Sequence, residues 1–200
     1  HRVLIVPQLG APGISAVEVR KRSGFKVEYG PVRAADLPQY LQVHAAAPAM
    51  RRARFDLRDR VVLIPVEVVY VTLPMLVAAM VGFFFGGWLT AAAIVAAVLA
   101  GVVLFPVLLP WIPTHAFSTK GLVLGALVIL PFALAVLLDN PDRSLWLKLI
   151  QALALFLSLT PVTAFLALNF TGSTTFTSRT GVRREIFAYI PLMAWLFGAG

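Results

Sequence analysis

Four long stretches of the chain carry no charged side chain: residues 68–85, 88–113, 121–138 and 149–169. Each holds about 18 to 26 residues, the length a tilted helix needs to cross ~30 Å of hydrocarbon. A fifth run begins at Ile186 and stops at Gly200. It is too short to span alone and is expected to be a truncated helix. The pattern predicts an α-helical membrane domain over residues 61–200 with about five transmembrane helices, at 68–86, 88–112, 121–138, 146–168 and 186–200. Prolines 74, 106, 110, 131 and 161 fall within or at the ends of these runs, where kinks are tolerated for structural reasons alone.

Residues 1–60 are patterned differently. Val3-Leu4-Ile5-Val6 reads as a short apolar strand, residues 8–13 as a Gly/Pro turn, and residues 14–22 as a helix with Ile14 and Val17 inward and Ala16 beside them. Ser23-Gly24 ends that helix. Residues 25–29 alternate as a second strand, Gly30-Pro31 turns, and Asp36 is placed to cap a short helix carrying Leu37, Tyr40 and Leu41. Strand, turn, helix repeated twice is the order of an α/β sheet. Two such units are too small to close a core, since roughly 55 residues are needed even for marginal stability. Residues 1–60 are therefore expected to be the tail of a larger sheet.

Composition supports the membrane reading: 60% of the 200 residues are hydrophobic and 13% charged, with a mean hydropathy of +0.87. Of 17 Lys and Arg against nine acids, residues 1–60 hold eleven and five, about +6 net. A basic segment beside membrane helices points to cytoplasmic placement and contact with the anionic lipid bilayer rather than to nucleic acid. With that segment on the cytoplasmic side of the inner (cytoplasmic) membrane, the loops alternate. Gly86-Gly87 and residues 139–144 fall outside, residues 114–120 and 171–185 inside. The inside loops hold Lys120, Arg179, Arg183 and Arg184, against Arg143 outside, with Lys148 able to snorkel to the outer interface. No signal peptide is legible, and the opening His1 is expected to be a cut edge, with sequence missing at both ends. The absence of cysteine excludes a disulfide, thiolate metal site or iron–sulfur cluster within these residues. His1, His44 and His115 share no metal-ligand spacing, and no metal site is assigned.

Two motifs carry candidate chemistry. Pro7-Gln8-Leu9-Gly10-Ala11-Pro12-Gly13 is a glycine-bearing loop between a strand and a helix, the position at which open α/β sheets bind ligands. Taken alone it reads first as a plain tight turn. The companion loop Gly30-Pro31-Val32-Arg33-Ala34-Ala35-Asp36 lies at the equivalent edge of the next strand, so the two could wall one ligand. The second motif, Asn169-Phe170-Thr171-Gly172-Ser173-Thr174-Thr175-Phe176-Thr177-Ser178, is dense in hydroxyls. It reads as an ordinary polar interfacial loop that closes one helix and caps the next through Thr180 or Ser178, and it could also receive an anion. Arg51, Arg52, Arg54, Arg58 and Arg60 read as a juxtamembrane lipid anchor rather than a substrate clamp.

Together the motifs are more specific. Val3-Leu4-Ile5-Val6-Pro7-Gln8-Leu9-Gly10-Ala11-Pro12-Gly13, then Ser23-Gly24-Phe25, then Tyr29-Gly30-Pro31-Val32-Arg33-Ala34, resembles the last part of the Rossmann-like corrinoid-binding domain in the large subunit of the corrinoid iron–sulfur protein of the acetyl-CoA pathway. Joined to about five spans and the Asn169 to Ser178 segment, the chain resembles the mercury-methylating corrinoid membrane proteins. The resemblance implies a corrinoid-dependent methyltransferase passing a methyl group to mercuric ion, with a two-cluster ferredoxin partner as reductant. It implies corrinoid contact at Gly10, Ala11, Pro12, Gly13, Gly30, Pro31 and Val32. It also implies an interface or substrate loop at Asn169, Thr171, Gly172, Ser173, Thr174, Thr175, Thr177 and Ser178. The family's cobalt-ligating cysteine, in an Asn-Val/Ile-Trp-Cys-Ala motif, has no counterpart here; it is expected upstream, so no catalytic residue is assigned and the fragment alone should be inactive. A corrinoid methyltransferase with another acceptor, a transporter and a passive anchor are the competing readings, with few intramembrane charges and no internal repeat to favour transport.

Overall fold

The computed structural model describes residues 2–139, 143–174 and 179–200, the side chains of Ser173 and Arg179 excepted. The chain divides into two compact units, His1–Arg54 and Phe55–Gly200.

In the first unit, β1 (Val3–Pro7) pairs in parallel with β2 (Lys26–Gly30), in a register that sets Val3 against Lys26 and Pro7 against Gly30. Parallel pairing demands a crossover, supplied here by α1 (Ala16–Ser23). Ser15 caps α1 by accepting the Glu18 amide at 3.3 Å, and Gly24, at φ 75°, ends it. A second helix, α2 (Leu37–Val43), buries Tyr40. Two expectations need correction. Val17 is 76% exposed, and it is Ala16 and Val19 of α1 that are half-buried. Asp36 lies in a short 3₁₀ turn at the start of α2 and makes no capping bond.

The second unit is helical. A short α3 (Leu57–Val61) leads into α4 (Ile64–Leu99), which continues through a π-helical turn at Ala100–Leu104 into α5 (Phe105–Leu108). Three further helices follow: α6 (Phe117–Leu138), α7 (Leu145–Asn169) and α8 (Arg179–Ala199). Among the described residues, three helical stretches are long and apolar enough to cross a membrane: Leu57–Leu108, Phe117–Leu138 and Leu145–Gly172. The first two expected spans thus lie in one stretch of 52 residues, which is broken at Gly87. There φ is 78° and ψ −173°, a conformation essentially reserved for glycine. The chain folds back at this point. A Cβ built on Gly82 would collide with Ile94, which a continuous helix would hold about 18 Å away. The fifth expected run is the greater part of α8. With Arg183, Arg184 and Glu185 in its first turns, that helix is not among the three stretches.

The packing places small residues inside and large ones outside. The α6–α7 contact rests on Gly121 and Gly125. A Cβ at Gly121 would lie 2.6 Å from the Ala164 Cα, and one at Gly125 2.7 Å from the Thr160 carbonyl oxygen. Gly101, in the π turn, stands equally close to Leu166, and the Thr163 hydroxyl donates to the Ala97 carbonyl at 2.9 Å. Ala93, Ala97, Ala100, Ala133, Ala152, Ala164 and Ala167 are buried, whereas Tyr70, Leu73, Phe84, Phe85, Trp88 and Trp195 are exposed. This arrangement suits a surround as apolar as the side chains themselves, where close backbone approach drives helix association.

Helix ends inside this unit are closed by charged side chains. Glu185 of α8 accepts from both the amide and the hydroxyl of Ser118 at 3.2 Å, at the start of α6. Lys148 donates to the Leu137 carbonyl at 3.4 Å, at the end of α6, and is 8% exposed rather than reaching outward. These contacts also fix which segments share an end. Phe55, α3, Lys120, Phe170 and Glu185 gather at one end of the unit; the Gly87 fold-back, Asp139 and Lys148 line a cavity at the other.

Gly125→Leu is expected to destabilise the protein by about 3 kcal/mol or more, because the colliding atoms are backbone. Gly198→Leu, placed where a Cβ meets nothing within 4 Å, should be tolerated. Thermal melting in detergent compares the two, and equal melting temperatures would refute the close α6–α7 contact. Glu185→Ala removes both bonds to Ser118 and is expected to cost about 1–3 kcal/mol, read as a lowered melting midpoint.

Candidate functional site

The parallel register brings the two glycine-bearing loops to the same edge of the sheet, since one follows Pro7 and the other includes its partner Gly30. The first loop curls through a 3₁₀ turn at Gln8–Gly10 and returns to α1, held by the Tyr29 hydroxyl donating to the Ile14 carbonyl at 2.8 Å. What the edge offers a ligand follows from which groups are already engaged. The Ala11 and Gly13 amides donate to the Gln8 and Gly10 carbonyls, and the Val32 amide donates to the Met50 carbonyl at 2.9 Å. Pro12 and Pro31 have no amide hydrogen. The Ala11, Gly13 and Val32 amides are therefore already spent and not open to an anion.

The glycines have different reasons. A Cβ at Gly30 would approach the Ile5 Cγ2 at 2.8 Å, so strand packing alone accounts for that residue. A Cβ at Gly10 would press on Val6 at 3.2 Å. At Gly13 it would meet only the Gly10 carbonyl oxygen, at 3.7 Å, and φ there is not positive. The fold places no demand for glycine at position 13. Leu9, Ala11, Pro12 and Gly13 are exposed, whereas Gly30 and Pro31 are buried and Val32 is half-buried. These four offer apolar surface and carry no metal-ligating side chain.

The hydroxyl-rich segment divides. Asn169 closes α7 and Phe170 turns inward, its ring 6.2 Å from Phe105 and 6.3 Å from Phe55. Thr171 is buried and donates to the Leu168 carbonyl at 2.6 Å, and the Thr174 hydroxyl donates to the Thr171 carbonyl at 3.1 Å. These two hydroxyls finish the helix, as expected of an interfacial loop. Gly172 has open space where a side chain would stand. Thr175, Thr177, Ser178 and the side chain of Ser173 lie outside the described residues.

A third constellation was missed by sequence reasoning. Arg60, read as part of an exposed lipid anchor, is 7% exposed. Its Nη1 donates to the Pro106 carbonyl at 2.8 Å and the Val107 carbonyl at 3.0 Å. The other arginines of that run, Arg51, Arg52, Arg54 and Arg58, are exposed. Lys120 donates to the Leu109 and Ile112 carbonyls, both at 2.7 Å. Both cations line a cavity of about 290 Å³ together with Phe55, Phe117, Thr114 and His115. Its only sequence signal is position: Arg60 is among the last charges before the first apolar run and Lys120 stands just before the third. Among the described residues, no group of three His, Cys, Asp or Glu is placed to hold a metal ion. Comparison with known proteins adds no assignment: no family model, no curated protein and no solved structure matches the chain.

Proposed function

We propose that the chain is part of a corrinoid-dependent methyltransferase of the cytoplasmic membrane, one that transfers a methyl group to mercuric ion. The observation that carries this reading is the shared sheet edge. Two loops whose sequences resemble corrinoid-contacting segments leave the same edge of a parallel pair, and Gly13 keeps space there that the fold does not require. The exposed apolar residues Val3, Leu4, Leu9 and Val17 further support a sheet that continues beyond two strands. In this reading Leu9, Ala11, Pro12 and Gly13 lie against the corrinoid and exclude water from one face. The bound corrinoid would supply the methyl-transfer chemistry, with a two-cluster ferredoxin partner as reductant. Asn169, Thr171, Gly172 and Thr174 would then serve chiefly to shape the helix end.

For the helical unit we propose five membrane segments with the first unit cytoplasmic, the Gly87 fold-back separating the first two. Arg60, Lys120, Arg183 and Arg184 would then flank the cytoplasmic side, leaving Arg143 and Lys148 at the outer one, in keeping with the bias of basic residues toward the cytoplasm.

The cofactor reading is tested in the complete protein carrying Gly13→Leu. Corrinoid absorbance per protein and methylmercury formation are both expected to fall about tenfold, roughly the effect of one lost close contact. The melting temperature should hold. Wild-type protein that retains no corrinoid would end the proposal. Topology is tested in cells expressing residues 1–200, whose lack of cysteine gives single-cysteine labelling a clean background. Arg143→Cys should react with an impermeant maleimide and His115→Cys should not; the reverse pattern would invert the orientation.

A further inference from the structure

We infer that the cavity between Arg60 and Lys120 is a binding site for an anionic phosphate group at the membrane interface. The inference rests on the helical unit alone and stands whether or not the methyl-transfer reading does.

Two cations line this cavity, and among the described residues no carboxylate does. Glu185, the acid bonded nearby, is turned to Ser118 and is not part of the lining. Carbonyl oxygens answer part of the cationic charge but carry none of their own. Burying Arg60 without a counter-charge is costly, and an anion beside it and the half-buried Lys120 would supply one. The hydrogen-bond inventory points the same way. With Nη1 committed to two carbonyls, the buried Nε of Arg60 has no partner among the described residues, and neither has the buried hydroxyl of Thr114, which lines the same cavity. Lys120 spends two of three ammonium hydrogens on carbonyls and keeps the third. An arginine N–H, an ammonium N–H and a hydroxyl on the walls of one small space suit an oxyanion better than a neutral group.

The remaining walls are Phe55, Phe117, Leu109 and Pro110, with His115 at the exposed margin. At about 290 Å³ the space is near the lower bound of small-molecule sites, roughly 300 Å³, and exceeds what a bare phosphate fills. Aromatic and apolar walls beside the cations suit the glycerol and first carbons of a lipid, although a free phosphate offers the same charged group.

The protein, purified in a neutral detergent, would be titrated with short-chain phosphatidylglycerol, short-chain phosphatidylcholine and inorganic phosphate while its melting temperature is followed. A saturable rise with phosphatidylglycerol, and none with the other two, identifies a lipid headgroup. A comparable saturable rise with inorganic phosphate identifies a free oxyanion, and both results support the site. Thr114→Val, which removes an unpartnered hydroxyl and no structural bond, should weaken the apparent affinity roughly five- to tenfold without lowering the melting temperature of the unliganded protein. Arg60→Gln should abolish the response; if that variant does not fold, Thr114→Val decides. No saturable response to either anion, or a response that Thr114→Val leaves unchanged, would overturn the inference.

Discussion

A helix that ends among apolar groups leaves carbonyls or amides with nothing to bond, and satisfying them is the constraint on which the helical unit depends. Four charged side chains meet it. Arg60 reaches the carbonyls of Pro106 and Val107, and Lys120 those of Leu109 and Ile112, where the long helical stretch gives way to the turn before α6. Glu185 accepts the Ser118 amide in the first turn of α6, and Lys148 approaches a carbonyl at its end. The signs agree with the helix dipole at every site: cations sit on carbonyl ends and the carboxylate sits on the amide end. These four charges of the helical unit are thereby spent on architecture.

The second requirement is close approach. Large side chains cannot drive association in an apolar surround, so the interior is built from Gly121, Gly125, Gly101 and the buried alanines, and Thr163 adds a hydrogen bond between helices where they touch. The π turn at Ala100–Leu104 places Gly101 against α7 and lies just beyond the Ala97 carbonyl that accepts the Thr163 bond. Pro161 and Pro106 are buried within the same packing rather than at its edge. Phe105, Phe117 and Phe170 then fill the end where helices diverge and small residues would leave a void.

Much of this was legible in the sequence because hydropathy and chain reversal are local properties. The apolar runs, the Gly86-Gly87 reversal, the strand–helix–strand order and the end of α1 at Gly24 all follow from residues close together in the chain. Asp36 and Val17 misled because a cap needs a particular backbone entry and an inward face needs something to pack against. Arg60 and Lys148 misled for a different reason. An arginine beside a span reads as a lipid anchor, and only the tertiary fold shows that its neighbour is a helix end 46 residues away. The Gly121-Leu-Val-Leu-Gly125 spacing was present as a signal for helix contact, but it did not name α7 as the partner.

The same distinction separates the candidate sites. A glycine is informative about a ligand only when the fold does not already explain it, and that test removes Gly30 and retains Gly13. A buried polar atom is informative only when the fold leaves it unpaired, and that test passes over Thr171, whose hydroxyl is bonded, but retains Arg60 Nε and the Thr114 hydroxyl. Residues with structural duties can still carry a second one. The bonds that fix Arg60 and Lys120 to helix ends also hold their remaining donors in place, so less side-chain freedom is lost when an anion arrives. The interaction that closes the helices therefore preorganises the site beside them.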